Sequence, residues 1–185
     1  RKYNNDVSNI IVSGYPKCDI FLDTNHKPKN VWKKQGSKKK KIIWSPHHTI
    51  VNDVLDYSDF LINYNLMLDI AKIFKDQIQI AFKPHPLLKI KLYNHEKWGK
   101  NKTDQYYKKW DDMSNGQLET GEYIDLFLTS DAIINSSGSF VAEYLTIKKP
   151  ALFFISSKKT KSEFNLFGKR ALLNWYLADK NDDIE

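Results

Sequence analysis

Short apolar runs, each stopped by a proline or a polar turn, alternate with helical patterns through most of the chain. Ile10–Val12 reads as a strand ending at Ser13-Gly14-Tyr15-Pro16, Lys41–Trp44 as a strand stopped by Pro46, and Ile78–Phe82 as a strand stopped by Lys83-Pro84-His85-Pro86. Ala132–Asn135 and Pro150–Ile155 are further strands, with a shorter one at Gln117–Glu119. Between them, Tyr57, Phe60, Leu61, Tyr64, Met67, Leu68, Ala71 and Phe74 recur at near-helical spacing and predict a helix over Val54–Phe74. Helical stretches are expected at 87–98, 103–111, 123–129 and 139–147, with a closing helix over Glu163–Leu177. Strands alternating with helices imply parallel strands joined by helical crossovers. The expected fold is therefore α/β, a Rossmann-like doubly wound parallel sheet. Such sheets bind ligands beyond the carboxyl ends of their strands, and that is where this chain keeps its unusual residues.

The first of these is the turn Ser136-Ser137-Gly138-Ser139, between a strand and a helix. An ordinary helix start needs one capping serine. Three serines, with a glycine that permits close backbone approach, exceed that need. Hydroxyls, backbone N–H groups and a helix N-terminus aimed at one point favour an anion, most naturally a phosphate. The turn is neither a Walker A loop nor the dinucleotide glycine fingerprint. Glu143 lies four residues after Ser139, one too far for a capping box. It reads either as an acceptor for sugar hydroxyls or as an acid favoured in the first helical turn.

His85 is held between Pro84 and Pro86, which fix the backbone around one imidazole. Rigid presentation at a strand end suits a catalytic general acid or base, or a charged donor to a phosphate. Lys83 beside it is placed to neutralise phosphate charge. His47 and His48 follow Pro46 at another strand end, and at least one is expected to face the same cleft. With His85 they offer imidazoles to a metal, but no cysteine or carboxylate spacing completes a ligand set, so no metal and no cofactor is expected. His26 and His95 read as surface residues, and Asp125 and Asp131 as caps at element ends.

Composition narrows the setting. The chain has 185 residues, 41% of them hydrophobic and 14% aromatic, enough for a real core and too many for a disordered tail. The lone Cys18 cannot form an internal disulfide, which fits a reducing cytoplasm. No apolar run approaches membrane-spanning length and no signal peptide is visible. The sequence begins at Arg1, in mid-pattern, and reads as a fragment of a longer protein carrying one domain over 1–185. Net charge is +7, and the excess is uneven: Thr24–Lys41 holds eight lysines and no acid, while Lys158, Lys159 and Lys161 form a second knot. Such a segment is either a solvated loop or an attraction to an anionic membrane surface. Nucleic acid is not expected as a partner, because the chain has only two arginines and no aromatic binding motif.

Taken in order, these landmarks resemble the C-terminal half of the CDP-glycerol glycerophosphotransferase family, which includes teichoic-acid primases and polymerases and related capsule and lipopolysaccharide enzymes. Gly14-Tyr15-Pro16-Lys17-Cys18-Asp19 is similar to the family's Gly-x-Pro-Arg-x-Asp, and Ile42-Ile43-Trp44-Ser45-Pro46 to its strand ending in Ala-Pro-Thr. Phe82-Lys83-Pro84-His85-Pro86 matches its Lys-x-His-Pro element. Leu128-Thr129-Ser130-Asp131 through Glu143-Tyr144-Leu145, with Lys149-Pro150 beyond, is similar to its Ser-Asp…Ser-Ser…Lys-Pro segment. His47-His48 departs from the Thr-x-Arg expected there, and Asn135 from the usual Asp-Tyr. The resemblance implies the nucleotide-donor half of a GT-B transferase, with His85 and Lys83, Ser136, Ser137, Gly138 and Ser139 on the donor's phosphates. It also implies a nucleotide-activated, CDP-linked donor, a lipid-linked or polymeric acceptor, an N-terminal partner domain and work at the cytoplasmic membrane face. A nucleotide-sugar glycosyltransferase and a non-catalytic membrane-docking module are the alternatives.

Overall fold

The structure is a computed structural model and describes residues 8, 11, 13–50, 57–157 and 160–182. Along the chain run α1 (Asp19–Leu22), β1 (Lys40–Ser45), α2 (Phe60–Ile73), β2 (Ile78–Phe82), α3 (Pro86–Tyr93), α4 (Gly99–Asp112) and β3 (Gly116–Leu118). They are followed by α5 (Ile124–Thr129), β4 (Ala132–Asn135), α6 (Phe140–Leu145), β5 (Ala151–Ile155), α7 (Leu166–Leu172) and β6 (Tyr176–Asp179).

β1 carries Ile42-Ile43-Trp44 without polar alternation, the pattern of a strand covered on both faces. It lies inside the sheet, pairing β2 on one side, with Trp44 opposite Phe82, and β4 on the other, with Ser45 opposite Asn135. The full order is β3-β2-β1-β4-β5-β6. Every pairing is parallel. This is the strand order of the doubly wound dinucleotide-binding sheet, so the expected α/β Rossmann-like fold is present.

The period of two along each strand sends side chains to two separate cores. Ile43, Ala81, Ile133 and Phe153 share one core with Phe127, Val141, Tyr144 and Ala171 of α5, α6 and α7. Trp44, Ile80, Phe82 and Ile134 share the other with Phe60, Met67, Leu88 and Trp110 of α2, α3 and α4. Trp44 stacks on Phe82 at 4.9 Å and on Phe60 at 5.9 Å between ring centroids. Side chains so placed contribute about 1.5–3 kcal/mol each through burial alone.

Several elements depart from the sequence reading. The strand at Ile10–Val12 and the start of the helix at Val54 fall on residues largely outside those described. Tyr57–Asp59 are not helical, because Thr49 Oγ1 accepts the N–H groups of Tyr57 and Ser58 at 3.1 and 3.2 Å. The stretch 87–98 is helical only to Tyr93, and the chain restarts as α4 at Gly99, whose φ of +66° suits glycine. The closing helix is cut short: Asn174 donates its N–H to Ala171 and its side-chain amide to Arg170, and the chain then forms β6 on the edge of β5.

The lysine-rich segment 24–41 packs along the amino ends of the strands. Trp32 is buried and donates to Thr129 at 3.0 Å, and Gln117 and Gln35 tie neighbouring residues to β3 and to Ser114. Its lysines therefore sit on the sheet edge opposite the turns that hold the serines and histidines.

Candidate functional site

The carboxyl end of β1 is the spine of the site. Its backbone continues past the strand, and neighbouring turns attach to it from both sides. Trp44 O accepts Lys83 N at 2.8 Å, Pro46 O accepts His85 N at 3.1 Å, and Ser45 O accepts Ser136 N at 3.1 Å. The β2–α3 turn and the β4–α6 turn thus flank β1 where the winding of the sheet changes direction, the crevice such folds use for ligands.

Two adjoining hollows open there. The first, about 550 Å³, is lined by Lys17, Ser45, Lys83, His85, Ser137, Ser139 and residues 120–123. The second, about 490 Å³, is lined by His47, Tyr57, His85, Gly138, Ser139, Phe164 and part of α7. His85 and Ser139 belong to both.

His85 caps α3, and its Nδ1 accepts the N–H of Leu87 at 3.1 Å. The hydrogen of the neutral ring is then on Nε2. Burial, with His48 and Lys91 nearby, pushes the imidazole down to about 4. The charged donor expected from sequence is thus replaced by a neutral N–H donor at pH 7.

The serine turn divides between structure and site. Ser136 is fully buried: its Oγ donates to Asp59 at 2.6 Å and accepts the N–H groups of His47 and Asp59 at 3.0 and 3.3 Å. Its hydrogen-bonding capacity is spent on holding three segments together, which corrects its placement on a phosphate. Ser137 and Ser139 face the first hollow, their hydroxyls 3.1 Å apart. Asn135 shapes the turn, accepting Ser137 N and donating to Ser137 O, both at 2.8 Å. Gly138 lies against Tyr57, whose ring would be 3.4 Å from an added Cβ. Helix α6 has only six residues, and the two hydroxyls are the polar groups that the turn presents to the first hollow.

Lys83 lines the first hollow but is buried, and its Nζ donates to Gly121 O at 2.5 Å. Burial lowers its pKa, against the opposing pull of Glu119 and Glu122. Glu143 is 1% exposed, and its oxygens accept the hydroxyls of Tyr15, at 2.6 Å, and Tyr123. The carboxylate expected to meet sugar hydroxyls has phenols in their place.

His47, His48 and His85 cluster, with ligand-capable atoms within 4.8 Å of one another. The His48 ring lies 4.2 Å, centroid to centroid, from each of the other two, tilted against both. Thr49 Oγ1 already accepts two backbone N–H groups, so its own proton goes to His47 Nδ1 at 3.1 Å. Like His85, His47 then carries its hydrogen on Nε2. A cation bound through either Nε2 would require the other tautomer and would break the contact at Nδ1.

Asp59 was not legible as part of the site. It is fully buried and takes donors from Trp44 at 2.9 Å and Asn63 at 3.2 Å as well as from Ser136. Burial pushes its carboxyl above the usual range, against those three donors. Lys17 and residues 120–123 were missed as well. The signal for the last was the short strand before them, whose carboxyl end belongs on the same sheet edge. Lys149, in the Lys-Pro pair, closes α5: its Nζ donates to the carbonyls of Leu128 and Ser130 at 2.7 and 2.5 Å.

Among solved structures, the chain is similar to the UDP-GlcNAc 2-epimerase of Methanocaldococcus jannaschii, at 15% identity and a TM-score of 0.49, over 78% of this chain and 36% of that one. It is similar to the wall teichoic acid polymerase TagF at 23% identity and a TM-score of 0.40, over 71% of this chain and 29% of that one. The chain thus spans about a third of the length of these proteins. No curated protein matches it. Residues 1–165 match the family described as CDP-Glycerol:Poly(glycerophosphate) glycerophosphotransferase, and the chain belongs to that family.

Proposed function

We propose that this chain is the donor-binding part of a transferase that moves glycerophosphate from CDP-glycerol to a lipid-linked or polymeric acceptor during synthesis of a cell-surface polymer such as teichoic acid or capsule. Membership of the family supports the reaction class. One observation carries the site: the hydroxyls of Ser137 and Ser139 and the imidazole of His85 line one hollow at the switch point of the sheet.

In this reading an acceptor hydroxyl attacks the β-phosphorus of the donor, the bond from that phosphorus to CMP breaks, and CMP leaves with the electron pair. His85 Nε2–H and the two serine hydroxyls donate to phosphate oxygens, offsetting charge that grows on the leaving group. His85 cannot take the acceptor's proton through Nε2 in this tautomer. The base comes from elsewhere, in our reading from an N-terminal partner domain. No metal is assigned a role in these steps. A nucleotide-sugar donor would be held by the same phosphate contacts.

The lysine segment fits docking at the inner face of the membrane, because its position at the amino ends of the strands would leave the cleft open. No helix among the described residues is long and apolar enough to cross a membrane. A thermal-shift screen of CDP-glycerol, CDP, UDP and GDP tests the reading. A ligand at a hundred times its Kd stabilises the fold by about 2.7 kcal/mol, so the cytidine compounds should stand out. No shift with any diphosphate would refute a donor site.

A further inference from the structure

Glu143 is a buried carboxylate that the proposed transfer does not use. Burying such a group is costly unless donors surround it. Here they come from distant parts of the sequence: Tyr15 donates to one oxygen at 2.6 Å and Tyr123 to the other. The hydrogen bond to Glu143 and partial burial push the Tyr15 phenol up to about 12, and burial with the same carboxylate pushes Tyr123 further up. Both therefore stay protonated donors at any physiological pH.

This bridge fixes the segment that carries Lys17. Gly14, at φ +79°, turns the chain into Tyr15, and Pro16 opens a short 3-10 turn over Pro16–Cys18. With the Tyr15 hydroxyl anchored, Lys17 Nζ lies 4.8 Å from the Tyr123 ring centroid and 3.7 Å from Glu143. Lys17 lines the first hollow, and its side chain is 54% exposed.

The charge balance of that hollow makes the position informative. Among the described lining residues, the other basic groups are Lys83, whose ammonium is turned to the Gly121 carbonyl, and His85, which is neutral at pH 7. Glu122 adds a negative charge. A diphosphate is held more strongly by neutral donors together with a cation that has room to reach it than by neutral donors alone.

We propose that Glu143, acting through the Tyr15 and Tyr123 hydroxyls, positions Lys17 at the mouth of the first hollow, and that Lys17 is the cation that meets the donor's diphosphate. The proposal rests on the reading that a nucleotide diphosphate occupies this cleft. Lys17 is then a binding residue and Glu143 a positioning residue. Because the two phenols already share the charge of Glu143, Lys17 can leave its 3.7 Å contact for a phosphate without stranding a bare carboxylate.

Calorimetric titration of the chain with CDP and with uncharged cytidine tests this. Lys17→Ala should weaken CDP on the order of tenfold, Lys17→Arg should restore most of it, and cytidine binding should not change. Tyr15→Phe should weaken CDP several-fold alone and add nothing on the Lys17→Ala background, since both act through one ammonium. A purely structural role for Tyr15 would make the losses add and would overturn the positioning. If Lys17→Ala binds CDP within twofold of the parent while His85→Asn weakens it, the inference fails and the donor-site reading stands. If the folded parent binds no CDP, the donor-site reading fails and takes this proposal with it.

Discussion

His85 Nδ1 accepts the backbone N–H of Leu87 at 3.1 Å, and that contact decides what the imidazole offers the cleft. A cap that starts α3 also sets the tautomer of the ring that lines the cleft. The same logic holds at His47, where the saturated Thr49 hydroxyl supplies the proton. Two histidines that a sequence shows only as titratable groups become N–H donors through their neighbours.

The depressed His85 has a measurable consequence. Its folded value lies near 4, below an ordinary 6.5. Between these values the unfolded chain binds more protons, so the contribution of this group to stability is full above pH 6.5 and is lost as the pH falls towards 4. The melting temperature of His85→Asn should fall less than that of the parent across this window. Parallel curves would mean that the imidazole is not held neutral.

The serine turn should split cleanly on mutation. Ser136→Ala leaves buried Asp59 without one donor and two backbone N–H groups without their acceptor, and should cost about 1–3 kcal/mol of stability in denaturant unfolding. Ser137→Ala and Ser139→Ala should cost less stability and weaken binding of CDP-glycerol. Equal stability losses at all three positions would contradict the division.

The histidine cluster should not hold zinc. Stoichiometric Zn²⁺ should give no calorimetric binding signal at micromolar affinity, because a bond at Nε2 of His47 or His85 must displace the Thr49 or Leu87 contact. Tight binding that disappears in His48→Ala would overturn this tautomer assignment.

The lysine segment makes a separate prediction. Flotation with vesicles containing anionic lipid should retain the chain at low salt and release it at high salt, and replacing Lys38 and Lys39 with Glu should weaken retention. CDP-glycerol affinity should be unchanged in that variant, because these residues lie at the far end of the sheet from the cleft. Retention by neutral vesicles would show that charge is not the cause.

The strands were legible because their apolar runs are bounded by Pro46, Pro84 and the serine turn, whereas their order in the sheet is visible only in the structure. The last strand was not, since Tyr176-Leu177-Ala178 continues an apolar pattern that also suits a helix, and only the Asn174 contacts at the end of α7 break it. The placement of His85, Ser137 and Ser139 around one hollow was legible from residue type and position at strand ends. The burial of Ser136 and Glu143 was not, because their partners Asp59, Tyr15 and Tyr123 are distant or unremarkable in sequence. Pattern places a residue at a strand end, whereas long-range hydrogen bonds decide whether it faces the ligand or the core.

In the proposed site, His85 Nε2–H and the Ser137 and Ser139 hydroxyls hold a nucleotide diphosphate. Titrating CDP-glycerol into the parent and into His85→Asn tests it most directly, because asparagine can still accept the Leu87 N–H and cap α3 while lacking the ring donor. The parent should bind saturably, and the variant should lose affinity on the order of tenfold or more. Equal affinity in two folded proteins would contradict it.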